Sequence, residues 1–254
     1  MKVAILAGGM GTRLVEETRS KSKAMVPIGE QPILWHLLQY YRCYGFTEQI
    51  VALGYRADSI QAYFAGDGFT RVETGNPEHQ RWVEDHEAGP LVIDLVDTGP
   101  DTNNGGRIKR LQPYLGNETF MSTWCDGLSD VDLHELLQFH RDHGKLATLT
   151  AVRPPARFGR LGLEGDAVRA FDEKQLFAEE WINGAFFVLE PEILDRIEGD
   201  DTSFERDTLH RLAQEGQLNA YRHHGFWQCM DTLKEAEDLN KLWRSGAAPW
   251  KVWN

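Results

Sequence analysis

Leu6-Ala7-Gly8-Gly9-Met10-Gly11-Thr12-Arg13-Leu14 follows directly on the apolar run Val3-Ala4-Ile5-Leu6-Ala7 near the start of the chain. That order reads as a buried strand, Lys2–Ala7, whose end turns sharply. Three glycines within four positions let the backbone bend and present its N–H groups. Arg13 adds a fixed charge carrying several donors. Strand, loop and cation together describe a cradle for phosphate. Two common loops of this kind do not fit. The dinucleotide fingerprint G-x-G-x-x-G is begun by Gly9-Met10-Gly11 but meets Leu14 at its last glycine, which disfavours a nicotinamide-dependent dehydrogenase. The P-loop needs Lys and then Ser/Thr after its glycine, and here Gly11 is followed by Thr12-Arg13.

Outward from this loop, strand-like and helix-like patterns alternate. Ile33, Leu37, Leu38 and Tyr41 share one helical face behind Pro32. Strands are expected at Gln49–Leu53, Leu91–Val96, Thr119–Trp124 and Ala147–Val152, and helices at Asp58–Phe64, Asn104–Leu115 and Asp132–His143. Repeated β-then-α units predict a Rossmann-like α/β fold, a mostly parallel mixed sheet with helices on both faces. The polar stretch Gly66–Gly89 reads as a mixed excursion off the sheet. The second half carries shorter strands at Arg160–Leu163, Val168–Phe171, Ile182–Leu189 and Leu218–Tyr221. Helical patterns fall at Pro191–Ile197, Asp207–Gln214 and Thr232–Trp243. Trp250 and Trp253 suggest that the tail docks.

The 254 residues suit one domain, with the alternating units in residues 1–152 and a smaller, β-rich part in 153–254. A composition of 41% hydrophobic and 26% charged residues is that of a globular protein. The net charge of −12 argues against a nucleic-acid or anionic-membrane surface. No apolar run approaches the ~20 residues of a membrane span, and the N-terminal run is shorter than the ~7–15 residues of a signal-peptide core. Cys43, Cys125 and Cys229 are odd in number and far apart, so no zinc ribbon or disulfide framework is indicated. A cytoplasmic location is expected.

Several residues invite chemistry. Arg13, Lys21 and Lys23 form a basic cluster just past the glycines, either a solvated loop or a polyphosphate clamp. The clamp is favoured because ligands of open α/β sheets bind at the strands' carboxyl ends. Asp126 follows an apolar strand and precedes Gly127; it is either a turn residue or a Mg²⁺ ligand. Asp231 stands before a helix, as an N-cap or a second carboxylate for the same metal. Lys174 alone reads as a surface lysine. His140-Arg141-Asp142 lacks the asparagine of a kinase loop, Ala147 standing in its place. His223-His224 has no zinc-like spacing.

Taken together these stretches resemble the sugar-1-phosphate nucleotidylyltransferases, nearly end to end. The resemblance rests on Leu6–Leu14, Lys21 and Lys23, Val96-Asp97-Thr98-Gly99, Gly105-Gly106-Arg107, Arg157-Phe158-Gly159, Ile182-Asn183-Gly184 and Ala248-Pro249-Trp250-Lys251. Several of these are characteristic of the cytidylyl branch. The resemblance implies nucleotidyl transfer from a nucleoside triphosphate, CTP favoured, to a sugar 1-phosphate, α-D-glucose 1-phosphate favoured. It implies Mg²⁺ on Asp126 and Asp231, and Arg13, Lys23, Asp126 and Lys174 as the catalytic set. The nucleotide would be held by Leu6, Ala7, Gly8, Gly9, Gly11, Thr12, Arg13, Lys23 and Arg107, and the sugar phosphate by Lys174, Asn183 and Gly184. Arg107 and Asn183 match positions used across a subunit boundary, toward base and sugar respectively, which implies a homo-oligomer with shared sites. By the same resemblance residues 1–152 would be the nucleotide-binding part and 153–254 the part for sugar phosphate and oligomerisation.

This chain departs from the family pattern beside its charges. K-P-K-P-M is Lys21-Ser22-Lys23-Ala24-Met25, a loop expected to be less rigid without its prolines. G-D-G is Cys125-Asp126-Gly127, E-K-P is Glu173-Lys174-Gln175, I-N-G-G ends in Ala185, and W-Q-P-M carries Cys229. A different sugar phosphate or nucleotide, or a non-catalytic nucleotide-sugar sensor, are the alternatives this pattern leaves.

Overall fold

The computed structural model describes residues 1–66, 68–85, 89–154, 160–172 and 180–253. Among the described residues nine strands build one sheet: β1 (Lys2–Leu6), β2 (Glu48–Leu53), β3 (Thr70–Val72), β4 (His79–Glu84), β5 (Leu91–Asp97), β6 (Phe120–Trp124), β7 (Ala147–Val152), β8 (Ile182–Leu189) and β9 (Leu218–Arg222). Their spatial order is β9-β7-β8-β6-β1-β2-β5-β4-β3. The central four, β6-β1-β2-β5, run parallel, with Ile5 facing Val51 on one side and Thr123 on the other. Antiparallel strands flank them, so the expected Rossmann-like mixed sheet is present.

Alternation along the strands creates two cores. Val3, Ile5, Val51, Leu53 and Met121 face a layer that holds the helix Ile33–Cys43, the helix Leu133–His143 and Trp250. Ala4, Leu6, Ala52 and Phe120 face the opposite layer, with Ile108, Leu111, Phe204 and Leu212. The side-chain period of two in a strand divides the residues in this way. Fully buried Trp250 stacks on Phe226 at 5.5 Å, so the C-terminal tail is docked as expected.

Three local readings change. Gly66–Gly89 is not an excursion: β4 pairs antiparallel with β5, and β3 pairs antiparallel with β4, so the two extend the sheet to its edge. Their polar sequence follows from edge position, where only Trp82 is buried. Asn104–Leu115 divides into Asn104–Arg110 and Gln112–Leu115, with Pro113 in the first turn of the second piece. The helix expected at Asp207–Gln214 starts earlier, as a π-helical turn Phe204–Leu209 that runs into the α-helix His210–Gln214.

The strand order reverses at β1, whose partners are β2 and β6. Ligands of open α/β sheets bind in the crevice at such a switch point, beyond the carboxyl ends of the strands. Leu6 and Trp124 end the two strands that border it.

Candidate active site

A cavity of ≈ 430 Å³ opens at this switch point. Its wall takes the glycine loop through Leu6, Gly8, Gly9, Gly11 and Thr12, and the end of β6 through Trp124, Cys125 and Asp126. Gly11 has φ +61°, a left-handed conformation that glycine adopts freely. At Gly9 a Cβ would meet nothing within 4 Å, so bare backbone faces open space where a ligand can approach closely.

The loop is braced from beneath by Arg107. This residue is 4% exposed, and its guanidinium donates to the carbonyls of Gly8 (3.0 Å), Leu53 (2.9 Å), Gly99 (2.7 Å) and Pro100 (3.1 Å) and to Thr98 Oγ1 (2.8 Å). Burial pulls it below the ordinary arginine range, with Asp97 opposing. The same guanidinium explains two glycines: a Cβ at Gly8 or at Gly54 would lie 2.3 Å from it. Arg107→Lys is expected to destabilise the protein by about 2–4 kcal/mol, because a compact ammonium cannot satisfy acceptors spread over two loops. The urea midpoint checks this; an unchanged midpoint would show that the brace is dispensable.

Lys23 enters from a loop that is pinned although its prolines are missing. Ser22, fully buried, donates its N–H to Ser59 Oγ (2.9 Å) and its hydroxyl to the Ala7 carbonyl (3.3 Å), while its Oγ accepts from Ala24 N (3.3 Å). Proline could not make the first bond. Lys23 Nζ then reaches Asp126 Oδ2 at 2.6 Å and Asp231 Oδ1 at 2.7 Å. Burial alone would lower the Lys23 pKa, but the charge and hydrogen bonds of Asp126 and Asp231 outweigh it and hold it above the ordinary lysine range. Lys21 instead pairs with Glu17 at 2.9 Å and takes no part in the cavity wall.

Asp231 arrives from far along the chain. Trp227–Cys229 pairs antiparallel with Gly127–Ser129, and Met230 N donates to the Asp126 carbonyl at 2.7 Å. The N-cap of the helix Leu233–Arg244 is Thr232, in a capping box with Glu235. Asp231 is therefore not the cap, and its carboxylate is directed at Lys23 instead. Cys125 lies between the strand and Asp126; burial, then the Asp126 charge, pushes its thiol up to about 12, so it is uncharged at neutral pH.

The other expected site residues are distributed differently. The Arg13 backbone lies in the 3-10 turn Thr12–Leu14, while its side chain lies outside what is described. Lys174 and Arg157-Phe158-Gly159 also lie outside the described residues. Asn183 bonds within its own strand, its Oδ1 accepting from Ala185 N at 2.9 Å, and neither it nor Gly184 stands on the cavity wall. Gly184 serves the fold instead: a Cβ there would meet Val152 at 2.8 Å, and its carbonyl accepts from Trp227 Nε1 at 2.8 Å. His140 and His223 are structural: His140 bonds Thr148 (2.8 Å) and Glu190 (3.0 Å), and His223 bonds Asp130 (2.8 Å). Sequence reading missed Thr102, Asn103, Asn104 and Glu205 on the wall. The Asn103-Asn104-Gly105-Gly106 run was the available signal, since amide side chains before paired glycines mark a helix start.

Two carboxylates sharing one cation are a hard-oxygen set suited to Mg²⁺, which takes one or two carboxylates and completes its shell with phosphate and water. Among the described residues no group of three or more His, Cys, Asp or Glu side chains is placed to cage a metal alone. Asp126 and Asp231 therefore fit a metal that arrives with phosphate, not a permanently caged one. Among the described residues no helix is long and apolar enough to cross a membrane.

A phosphate-cradling loop at the switch point, a buried lysine and two convergent carboxylates define a class. The chain belongs to the nucleotidyl transferase family, whose model matches residues 2–242. It is 45% identical to the glucose-1-phosphate cytidylyltransferase of Salmonella typhi over 256 aligned residues, covering 100% of both chains. It is 38% identical to a probable glucose-1-phosphate cytidylyltransferase of Bacillus subtilis, again over 100% of both. Among solved structures, HddC from Yersinia pseudotuberculosis superposes with a TM-score of 0.71 at 22% identity, covering 95% of this chain and 99% of that one, a likeness of fold.

Proposed function

We propose that this chain transfers a cytidylyl group from CTP to α-D-glucose 1-phosphate. An oxygen of the sugar phosphate attacks the α-phosphorus, the bond from the α-phosphorus to the bridging oxygen breaks, and pyrophosphate carries the electron pair away. CDP-glucose and pyrophosphate are the products. The observation that supports this reading best is Lys23 held between Asp126 and Asp231 beside the bare Gly8–Thr12 backbone.

The nucleophile is already anionic, so no strong general base is needed. The protein's work is to align two polyanions and neutralise the charge that builds up on the leaving oxygens. Gly8–Thr12 would present N–H groups to the triphosphate, and Lys23 would supply a fixed ammonium at the α-phosphate. Asp126 and Asp231 would hold Mg²⁺, which when bound supplies Lewis-acid polarisation of the phosphoryl oxygens. Arg13 and Lys174 are assigned to the triphosphate and the sugar-linked phosphate by family resemblance. A homo-oligomer is proposed on the same ground; size-exclusion chromatography with light scattering checks it.

The test is a matrix of nucleoside triphosphates against sugar 1-phosphates, read as pyrophosphate release with and without Mg²⁺. CTP with α-D-glucose 1-phosphate is expected to give the highest kcat/KM. Release only with another pair would reassign the substrates. Ligand binding with no release from any pair would leave a sensor.

A further inference from the structure

The cavity has two unlike walls. Lys23 and Asp231 belong to the layer of Ala24 and Met230, on one face of the sheet. Glu205 follows Phe204, which belongs to the layer on the opposite face. The phosphate machinery and Glu205 therefore stand on opposite sides of the cleft. Trp124 packs with the Glu205 side, in a run of edge-to-face rings from Trp124 to Phe187 (5.7 Å) and Phe187 to Phe204 (5.5 Å). An indole and a carboxylate on the wall away from the phosphates are placed to receive the nucleoside.

Glu205 is held there by an unusual amount of structure. Gly105 and Gly106 let residues 200–204 lie directly on the start of helix Asn104–Arg110; a Cβ at either would come within 2.6 Å of the Thr202 carbonyl or the Asp200 backbone. Asn103 N donates to Asp200 O (2.8 Å) and Gly105 N to Thr202 O (3.1 Å). Asn104 Oδ1 accepts from Gly105 N (2.9 Å) and Phe204 N (2.8 Å), which fixes the amide and points its Nδ2 at Glu205. That Nδ2 donates to Oε1 (2.9 Å) and Oε2 (2.7 Å), and Ser203 Oγ donates to Oε2 at 3.3 Å. Among the described residues no cation pairs with Glu205. A carboxylate oriented by neutral donors keeps lone pairs free to accept from a ligand.

We infer that Glu205 reads the base: its carboxylate accepts from the exocyclic amino group of cytosine and repels the keto oxygen that uracil carries at the same position. Carboxylates recognise the cytosine amino group by this pairing. A half-buried acceptor that a bound base covers loses its partner and gains repulsion when it faces another acceptor. The inference rests on the cytidylyl reading and adds the residue that makes the choice.

Glu205→Gln is an informative variant because Asn104 cannot turn. Its fixed Nδ2 would take the new amide oxygen, leaving the new NH₂ to face the cleft as a donor suited to uracil. The kcat/KM ratio of CTP to UTP is expected to fall by roughly 10- to 100-fold, with UTP use rising. The dissociation constants of CMP and UMP should shift their ratio in the same direction. A ratio unchanged while both nucleotides weaken alike would overturn the inference, pointing to a ribose or structural role. A wild-type measurement needs no variant to fold: CTP lacking its 4-amino group should lose roughly 10-fold or more in kcat/KM. Equal use of the two would overturn the inference. If wild type releases no pyrophosphate from CTP, the cytidylyl reading fails, and the CMP-to-UMP binding ratios still decide the role of Glu205 separately.

Discussion

Asp126→Asn is expected to lower kcat/KM by about 10²–10³, the range for losing one group that acts on transition-state charge. The substitution keeps size and one oxygen but removes the charge that faces Lys23 at 2.6 Å. Two consequences separate this from simple misfolding. Lys23 keeps its ion pair with Asp231 at 2.7 Å, so the fold should survive with a near-normal thermal midpoint. The concentration of Mg²⁺ needed for half-maximal rate should rise, since one of two hard ligands has lost its charge. Steady-state kinetics over a Mg²⁺ titration is the check. Near-normal turnover at saturating Mg²⁺ would show that Asp126 is not a metal carboxylate.

A stability loss of about 3 kcal/mol is expected between pH 6.5 and pH 4 from one residue, His36. The ring is fully buried. Its Nε2–H donates to the Ile28 carbonyl at 2.9 Å, and its Nδ1 accepts from the Trp250 indole N–H at 3.3 Å. The carbonyl only accepts and the indole only donates, so the neutral Nε2–H tautomer is specified. A second proton would meet the indole N–H head-on. Trp35 (5.2 Å) and Trp243 (4.6 Å) pack edge-on around the ring. Burial pulls His36 from 6.5 down to about 4, the Ile28 carbonyl and Glu30 opposing.

The sign follows from proton uptake. Below pH 6.5 the unfolded chain binds this proton and the folded protein does not, so stability falls with pH. The slope flattens through pH 4, where the folded state begins to protonate too, and vanishes below it. Asp94, held low through Arg81 and His79 against burial, contributes a loss only below the ordinary aspartate range of 3.8, so the two windows separate. Urea midpoints from pH 7 to pH 4 for wild type and His36→Gln are the check. The wild-type slope should be absent from the variant; parallel curves would contradict the assignment.

Much of this molecule was legible from residue order. Val3-Ala4-Ile5-Leu6 sends alternate side chains to two buried faces, and three following glycines mark the strand end, so β1 and its loop could be read directly. Lys23 was legible as a candidate from its place in the basic cluster past the glycines, and Asp126 from its place at the end of an apolar strand. What separated their alternatives was long-range. Asp231 looks like a helix cap until Thr232 is seen to cap and the 127–129/227–229 ribbon is seen to carry Asp231 to Lys23. β3 and β4 were hidden because edge strands need few apolar residues. Glu205 was hidden because a π-turn leaves no clean 3.6-residue period and its partner Asn104 lies a hundred residues away. Arg107 was legible as a residue of interest, but only the fold shows it bonded to the carbonyls behind its own glycine loop.

Phosphorus NMR of wild-type protein with CTP, α-D-glucose 1-phosphate and Mg²⁺ addresses transfer most directly. Pyrophosphate and a new sugar-nucleotide diphosphate should grow in equal amounts, and a chelator should stop both. An unchanged spectrum despite bound nucleotide, or conversion of CTP to CMP without the sugar product, would contradict nucleotidyl transfer by this site.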